Sequence, residues 1–119
     1  MLDSFASLAA SGSSFSSAGR VLAANYDRFS DLMKKQGYDW EQFNVTTDDG
    51  YILTTFHLLN KTGETFTKAT KGTVLVQHGA GMDGASFFEF DPDNKSWITS
   101  LVDEGYDVWL GNNRGTMWS

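Results

Sequence analysis

The sequence contains no cysteine and one proline, and basic side chains are outnumbered by acidic ones, nine against fifteen. Without cysteine the chain can form no disulfide, offers no thiol nucleophile and cannot bind a metal through sulfur. The net charge of −6 argues against a nucleic-acid-binding protein, because such a protein needs a basic face to meet the phosphates. No apolar run approaches the roughly 18 residues that a membrane-spanning helix requires.

The residues that are present are typical of a globular chain, with 40% hydrophobic and 14% aromatic residues among 119. A chain of this length forms one domain at most. Serine, alanine and glycine dominate the first 19 residues, which is typical of a flexible arm. With Arg20 nearby and Asp3 as the one acid, this stretch also fits a mitochondrial targeting segment. We therefore divide the chain into an arm, residues 1–19, and a folded portion, residues 20–119.

Two local patterns predict the first elements of the folded portion. Apolar residues recur every three or four positions along residues 20–36, which predicts an amphipathic helix that Gly37 terminates. The residues of this apolar face are Leu22, Tyr26, Phe29 and Met33. Residues 43–59 alternate between apolar and polar side chains around Asp48-Asp49-Gly50, which predicts a β-hairpin with a tight turn.

The stretch from Gly72 to Gly81 is the one around which the rest of the chain is organised. Its residues 73–76 are β-branched or aliphatic, which predicts a central parallel strand buried on both faces. The strand leads into a glycine-containing loop, whose backbone N–H groups can approach a ligand. Residues 81–94 are predicted as a loop, 95–104 as a short helix and 108–110 as a second strand. This order predicts a right-handed βαβ unit with a parallel strand pair.

Two groups of apolar side chains accompany this unit. Three phenylalanines in the predicted loop could line an apolar cleft or, as we favour, cover the edge of the sheet: Phe87, Phe88 and Phe90. The predicted short helix presents four apolar residues on one side: Trp97, Ile98, Leu101 and Val102.

Few side chains offer catalytic chemistry. His78 stands at the end of the predicted strand, where α/β proteins bind ligands, and it could be a general base. We favour a structural role in which its ring hydrogen-bonds to the backbone and shapes the loop. His57, in the hairpin, is expected to be an ordinary packing or surface residue. Because no third ligand lies near either histidine in sequence, we predict no metal site and no cofactor.

Two further features bear on catalysis. No Gly-x-Ser-x-Gly turn, which would hold a serine nucleophile, occurs in the 119 residues. Arg114, in the polar turn after the second strand, is expected to fix that turn through charge-assisted hydrogen bonds.

Three motifs stand in an order that resembles the acid lipases, the gastric and lysosomal lipases and their relatives among the α/β-hydrolases. Residues 37–53 resemble the N-terminal signature of that family, and residues 74–79, Val-Leu-Val-Gln-His-Gly, resemble its strand before the oxyanion loop. Residues 105–115, followed by Trp-Ser at 118–119, resemble its most recognisable stretch. The resemblance covers roughly residues 36–119.

The resemblance implies an α/β fold class. It implies part of an α/β-hydrolase fold, made of an N-terminal helix, a β-hairpin and one βαβ unit. It also implies hydrolysis of ester lipids by a serine, histidine and aspartate triad. In the family the residue after His-Gly gives one backbone N–H to the oxyanion hole, so this role passes to Ala80. His78 and Gly79 would then be structural parts of the oxyanion loop.

The family's serine, aspartate and histidine follow later in its chain and have no counterpart here. The family's sheet also has more strands than this sequence predicts, so the incomplete sheet is expected to need a partner. That partner would be a second protein chain or a missing remainder that brings the triad. The alternative is a catalytically inactive, lipase-derived structural subunit of a larger assembly. The resemblance implies a secretory or lysosomal location, whereas the serine-rich start suggests mitochondria.

Overall fold

The computed structural model describes residues 28–65 and 67–119, which form three helices and four strands. The helices are α1 at residues 28–36, α2 at Ser86–Glu89 and α3 at Trp97–Asp103. The strands are β1 at Tyr38–Thr46, β2 at Ile52–Lys61, β3 at Thr73–Gln77 and β4 at Asp107–Gly111. No helix in these two ranges is long and apolar enough to span a bilayer. The predicted arm, and residues 20–27 of the predicted helix, lie outside the described residues.

The helix end and the hairpin follow the sequence pattern. Gly37 terminates α1 with φ +80°, and its N–H donates to the carbonyl of Met33 at 2.8 Å. The hairpin is longer than predicted and pairs β1 with β2 in antiparallel register. Its turn closes through the N–H of Thr47, which donates to the carbonyl of Tyr51 at 2.8 Å, and Gly50 adopts φ +90°.

The four strands form one mixed sheet in the order β1-β2-β4-β3. The predicted βαβ unit is confirmed, because β3 and β4 are parallel and α3 lies between them in sequence. Two expectations for β3 are wrong. Within the described sheet β3 is an edge strand, because β4 inserts between it and β2. It is also buried on one face alone, since Val76 is 8% exposed and Leu75 is 64% exposed.

Described helices pack against one face of the sheet, which we call the helix-covered face, and we call the other the open face. The helix-covered face carries Phe56, Val108 and Leu110, which pack into one core with Phe29 and other helix residues. The Phe29 ring, from α1, stacks on the Phe56 ring with centroids 3.8 Å apart. The open face carries the side chains that alternate with these along the strands. They include Glu41, His57, Asp107, Trp109, Thr73 and Leu75, which the strand registers place side by side.

Two details of the connection between β3 and β4 differ from the prediction. Residues 86–89 are helical, not loop, and this α2 brings Phe88 into the core at 1% exposure. Phe90 is 83% exposed, so the phenylalanines do not act as one group. In α3 the predicted apolar side is displaced, because Trp97 is 58% exposed and Thr99 is fully buried. Thr99 can be buried because its hydroxyl donates to the carbonyl of Ser96 at 2.8 Å.

Candidate functional site

The carboxyl ends of β3 and β4 lie side by side at one edge of the sheet, and a cleft opens there. Its volume is about 470 Å³. Two loops line most of it, residues 78–83 after β3 and residues 113–117 after β4, and Arg28 of α1 borders it. The carboxyl end of a parallel strand pair is the usual ligand-binding position in α/β proteins, so this cleft is the candidate site.

The loop between β3 and α2, residues 78–85, makes a tight turn at the cleft. The N–H of Met82 donates to the carbonyl of Gly79 at 3.2 Å, and Gly81 has φ +74°. Together with the negative φ of Ala80, this is a type II β-turn in which Ala80 takes the second position. Within the described part of the chain, no hydrogen bond uses the Ala80 N–H, and the residue is exposed. The Ala80 N–H is therefore an unpaired backbone donor in the wall of the cleft.

His78 is buried, with 8% exposure, and both of its ring nitrogens have backbone partners. Its Nε2 accepts the N–H of Asn113 at 3.0 Å, so this nitrogen carries no proton. Its Nδ1 then donates to the carbonyl of Gly79 at 2.8 Å. With both nitrogens engaged, the ring in this arrangement has no nitrogen left to accept a proton from a substrate or a nucleophile.

A charged cluster fixes the far end of the loop. Asp83 is buried, and its Oδ1 accepts the N–H of Ala85 at 2.9 Å and the N–H of Ser86 at 3.2 Å. Its Oδ2 lies 3.2 Å from the Arg28 guanidinium, which also pairs with Glu89 of α2. Burial would lower the pKa of Arg28, but the hydrogen bond to Glu89 and the charge of Asp83 raise it overall. The cluster therefore ties α1 to the loop and to α2 with fixed charges.

Arg114 makes charge-assisted hydrogen bonds, and the partner it binds is a carboxylate in the hairpin turn. Its two terminal nitrogens contact the two oxygens of Asp49 at 2.8 and 2.9 Å. The guanidinium also lies over the Tyr51 ring, 4.2 Å from its centroid. Hydrogen bonds from Thr47 and Arg114 lower the pKa of Asp49. The pair joins the turn after β4 to the β1–β2 turn at the rim of the cleft.

Asn112 is the site residue that the sequence did not single out. It is 3% exposed, and its side chain connects Gly84 of the loop to Thr54 of β2. The signal available in the sequence was a polar side chain directly after a predicted strand, which is a common position for site residues. Two adjacent asparagines in one motif did not reveal which of them would be buried.

The described serines do not form a nucleophile with a histidine. Ser86 Oγ donates to the Asp83 carboxylate at 3.3 Å and accepts the Asp83 N–H at 3.1 Å. Ser119 Oγ accepts the N–H of Thr54 at 3.0 Å and donates to the carbonyl of Asn112 at 3.2 Å. In the described ranges, the cleft thus offers a backbone donor and positioning groups.

Residues 29–90 match the family described as a partial α/β-hydrolase lipase region, and these are 62 of the 119 residues. The chain belongs to the α/β-hydrolase lipase family. The acid-lipase resemblance of the motifs is thereby confirmed. The mixed, open sheet is consistent with part of an α/β-hydrolase fold.

Individual lipase-family relatives match a longer part of the chain. Lipase member K of Mus musculus is 41% identical over 90 residues, which are 76% of this chain and 22% of the relative. A putative lysosomal acid lipase/cholesteryl ester hydrolase of Crotalus adamanteus is 39% identical over the same shares of both chains. Lipase member M of Homo sapiens is 38% identical, with 21% of its length covered. The chain spans about a fifth of the length of these curated relatives.

Proposed function

We propose that this chain supplies the oxyanion loop of a lipase-family ester hydrolase, with the Ala80 backbone N–H as one of the oxyanion donors. The observation that carries the proposal is the unpaired Ala80 N–H, held by a type II turn in the cleft at the ends of two parallel strands. Backbone N–H groups fixed in this way stabilise the charge that develops on an ester carbonyl oxygen. His78 and Gly79 shape the turn and take no part in bond making.

The reaction would follow the course of serine hydrolases. A serine oxygen attacks the ester carbonyl carbon, and the carbonyl π electrons move to oxygen as the serine proton passes to a histidine. The resulting oxyanion accepts the hydrogen bond from Ala80. Collapse of the intermediate expels the alcohol, which takes the proton from the histidine, and water later releases the acid.

The serine, histidine and aspartate of this proposal lie outside the 119 residues. No Gly-x-Ser-x-Gly turn occurs in the sequence, and the relatives are about five times as long as the matched part. The triad would come from a companion chain or from further sequence of the same protein, which would also add strands beside β3. An ester of a lipid is the substrate class, as the names of the relatives suggest for those proteins.

The test is to remove the donor while keeping the turn. Ala80→Pro deletes the N–H, and proline is favoured at the second position of a type II turn. In the completed enzyme, kcat/KM for p-nitrophenyl butyrate should fall about a hundred- to thousand-fold. Ala80→Gly, which keeps the N–H, is the matched control and should retain most of the activity. Full activity of Ala80→Pro would refute the proposal.

The second candidate is a catalytically inactive, lipase-derived subunit of a larger assembly. Native mass spectrometry of the purified protein, followed by sequencing of its components, separates the two. A component with a Gly-x-Ser-x-Gly turn supports the hydrolase. Stable companions that lack this turn, together with no ester hydrolysis, support the inactive subunit.

A further inference from the structure

The loop that carries Ala80 is attached to the sheet at both ends. At its start, the His78 ring accepts the N–H of Asn113 at 3.0 Å. At its end, the N–H of Gly84 donates to Oδ1 of Asn112 at 2.8 Å. Both attachments therefore reach the two residues that directly follow β4, and Ala80 lies between them.

The attachment through Asn112 uses a buried side chain and both ends of its amide. Oδ1 accepts from Gly84, and Nδ2 donates to the Thr54 carbonyl of β2 at 2.8 Å. A buried amide is stable when both its oxygen and its nitrogen have partners. Aspartate could not donate to Thr54, and alanine could make neither bond. Asparagine is therefore suited to link the loop to β2 from its position directly after β4.

Gly84 shows how closely the loop approaches this amide. A Cβ atom at position 84 would lie 3.1 Å from Oδ1 of Asn112 and 3.5 Å from Cβ of Leu110. The first distance is shorter than an ordinary van der Waals contact, so a larger residue would push the loop and the amide apart. Gly84 and Asn112 thus form a matched pair, in which a residue without a side chain admits the hydrogen bond.

We propose that Asn112 is a positioning residue that sets the place of the Ala80 N–H in the cleft. The inference rests on the function proposed above and deepens it. Oxyanion donors act when they lie about 2.7–3.1 Å from the developing charge, so the loop must be held to a fraction of an ångström. The hydrogen bond from Gly84 fixes the loop four residues after Ala80, and Thr54 fixes the amide in turn.

The first test needs no catalytic activity and uses the chain in the form in which it purifies. Amide hydrogen exchange, read by mass spectrometry, is compared for Asn112→Ala, Gly84→Ala and the control Asn44→Ala, whose side chain is exposed on β1. In peptides that cover residues 79–84, we expect the hydrogen-bonded amides of Met82, Asp83 and Gly84 to exchange about tenfold faster in the first two variants, since one hydrogen bond is lost or stretched. Peptides from α3 should be unchanged. Wild-type exchange of residues 79–84 in both variants would overturn the proposal.

The second test asks whether the loop position matters for chemistry. In the completed enzyme, active sites are first counted by titration with a phosphonate ester, which removes the effect of misfolded protein. Gly84→Ala and Asn112→Ala should lower kcat per active site by about 10- to 100-fold, as expected for a misplaced catalytic group, with KM within about twofold. Wild-type kcat per site in both variants would overturn the proposal.

The two tests separate this inference from the function on which it rests. If the completed wild-type enzyme hydrolyses no ester, the proposed function fails, and the exchange data alone decide whether Asn112 holds the loop. Gly84→Ala removes no polar group, so it answers the question even if Asn112→Ala does not fold.

Discussion

The helix-covered face and the open face of the sheet are stabilised by different kinds of side-chain contact. On the helix-covered face, Phe56, Val108 and Leu110 are fully buried under residues of α1, α2 and α3. On the open face, Leu75 is 64% exposed and Val45 is 50% exposed. In the described part of the chain, the same four strands therefore bury apolar side chains on one face and expose some of them on the other.

The open face is held together by a polar network to which every strand contributes. His57 of β2 lies between two carboxylates, with Nε2 2.6 Å from Asp107 and Nδ1 3.4 Å from Glu41 of β1. The second oxygen of Asp107, on β4, accepts from Trp109 Nε1 at 2.9 Å and from the hydroxyl of Thr73, on β3, at 3.2 Å. The His57 ring also stacks on Trp109, with centroids 4.1 Å apart.

The two faces show how packing against helices affects which side chains stabilise a strand. Where helices exclude water, apolar burial stabilises the strands at roughly 25 cal/mol per Å². Where no described helix excludes water, less apolar area is buried, and directional polar bonds connect neighbouring strands instead. The expectation that His57 is an ordinary packing or surface residue missed this network.

The contrast between the two faces would be wrong if both tolerated the same substitution equally, and this test has the largest expected effect. Leu110→Ala removes a fully buried side chain and should lower the free energy of unfolding by about 2–5 kcal/mol. Leu75→Ala, the matched change on the open face, should stay within about 0.5 kcal/mol of wild type. Urea denaturation measures both. An equally large loss for Leu75→Ala would mean that something covers the open face in solution.

A smaller effect is expected from breaking the polar network. Asp107→Ala removes the acceptor for His57, Trp109 and Thr73, and leaves partly buried donors without a partner. The free energy of unfolding should fall by about 1–3 kcal/mol, measured by the same method. Asp107→Asn should lose less, because its amide oxygen can still accept from Trp109 and Thr73. A change below about 0.5 kcal/mol for Asp107→Ala would show that the network adds little.

The contribution of Asp107 to the free energy of unfolding should depend on pH, and the pKa of Asp107 sets the sign of that dependence. Burial would raise the pKa of Asp107, but hydrogen bonds from Trp109 and His57 lower it below its ordinary value. A carboxyl with a lowered folded-state pKa stabilises above its unfolded pKa, about 3.9, and loses this contribution as the pH falls through the folded value. The difference in stability between wild type and Asp107→Ala should therefore shrink below about pH 4. A difference that widens on acidification would contradict this account.

Elements set by local chemistry were predictable from the sequence. Three such signals determine structure within a few residues: the glycine at the end of α1, the Asp-Asp-Gly sequence of the hairpin turn, and the β-branched residues of the strands. The burial of β3 was not predictable, because a five-residue apolar strand has the same composition whether one or both faces are covered. The open-face network was hidden for another reason, since Glu41, His57 and Asp107 lie on three strands far apart in sequence.

Some residues of the candidate site were likewise predictable from the sequence, and others were not. The position of His78, Gly79 and Ala80 at a strand end followed from the order of apolar and glycine residues. The role of Asn112 did not, because its partners Gly84 and Thr54 lie 28 and 58 residues before it in the chain and reach it through the fold. Contacts between distant segments decide which of two adjacent asparagines is buried.

The smallest expected effect on stability concerns the exposed edge of the open face. Leu75 lies on β3, which pairs with β4 on one side, and an apolar edge strand is a site of self-association. Leu75→Lys should change the free energy of unfolding by less than about 0.5 kcal/mol while lowering the self-association measured by sedimentation velocity. Val45→Lys, on the same face but on the opposite edge strand β1, is the matched control and should leave the association nearly unchanged. Equal effects of the two lysines would mean that association follows the charge of the protein and does not use the β3 edge.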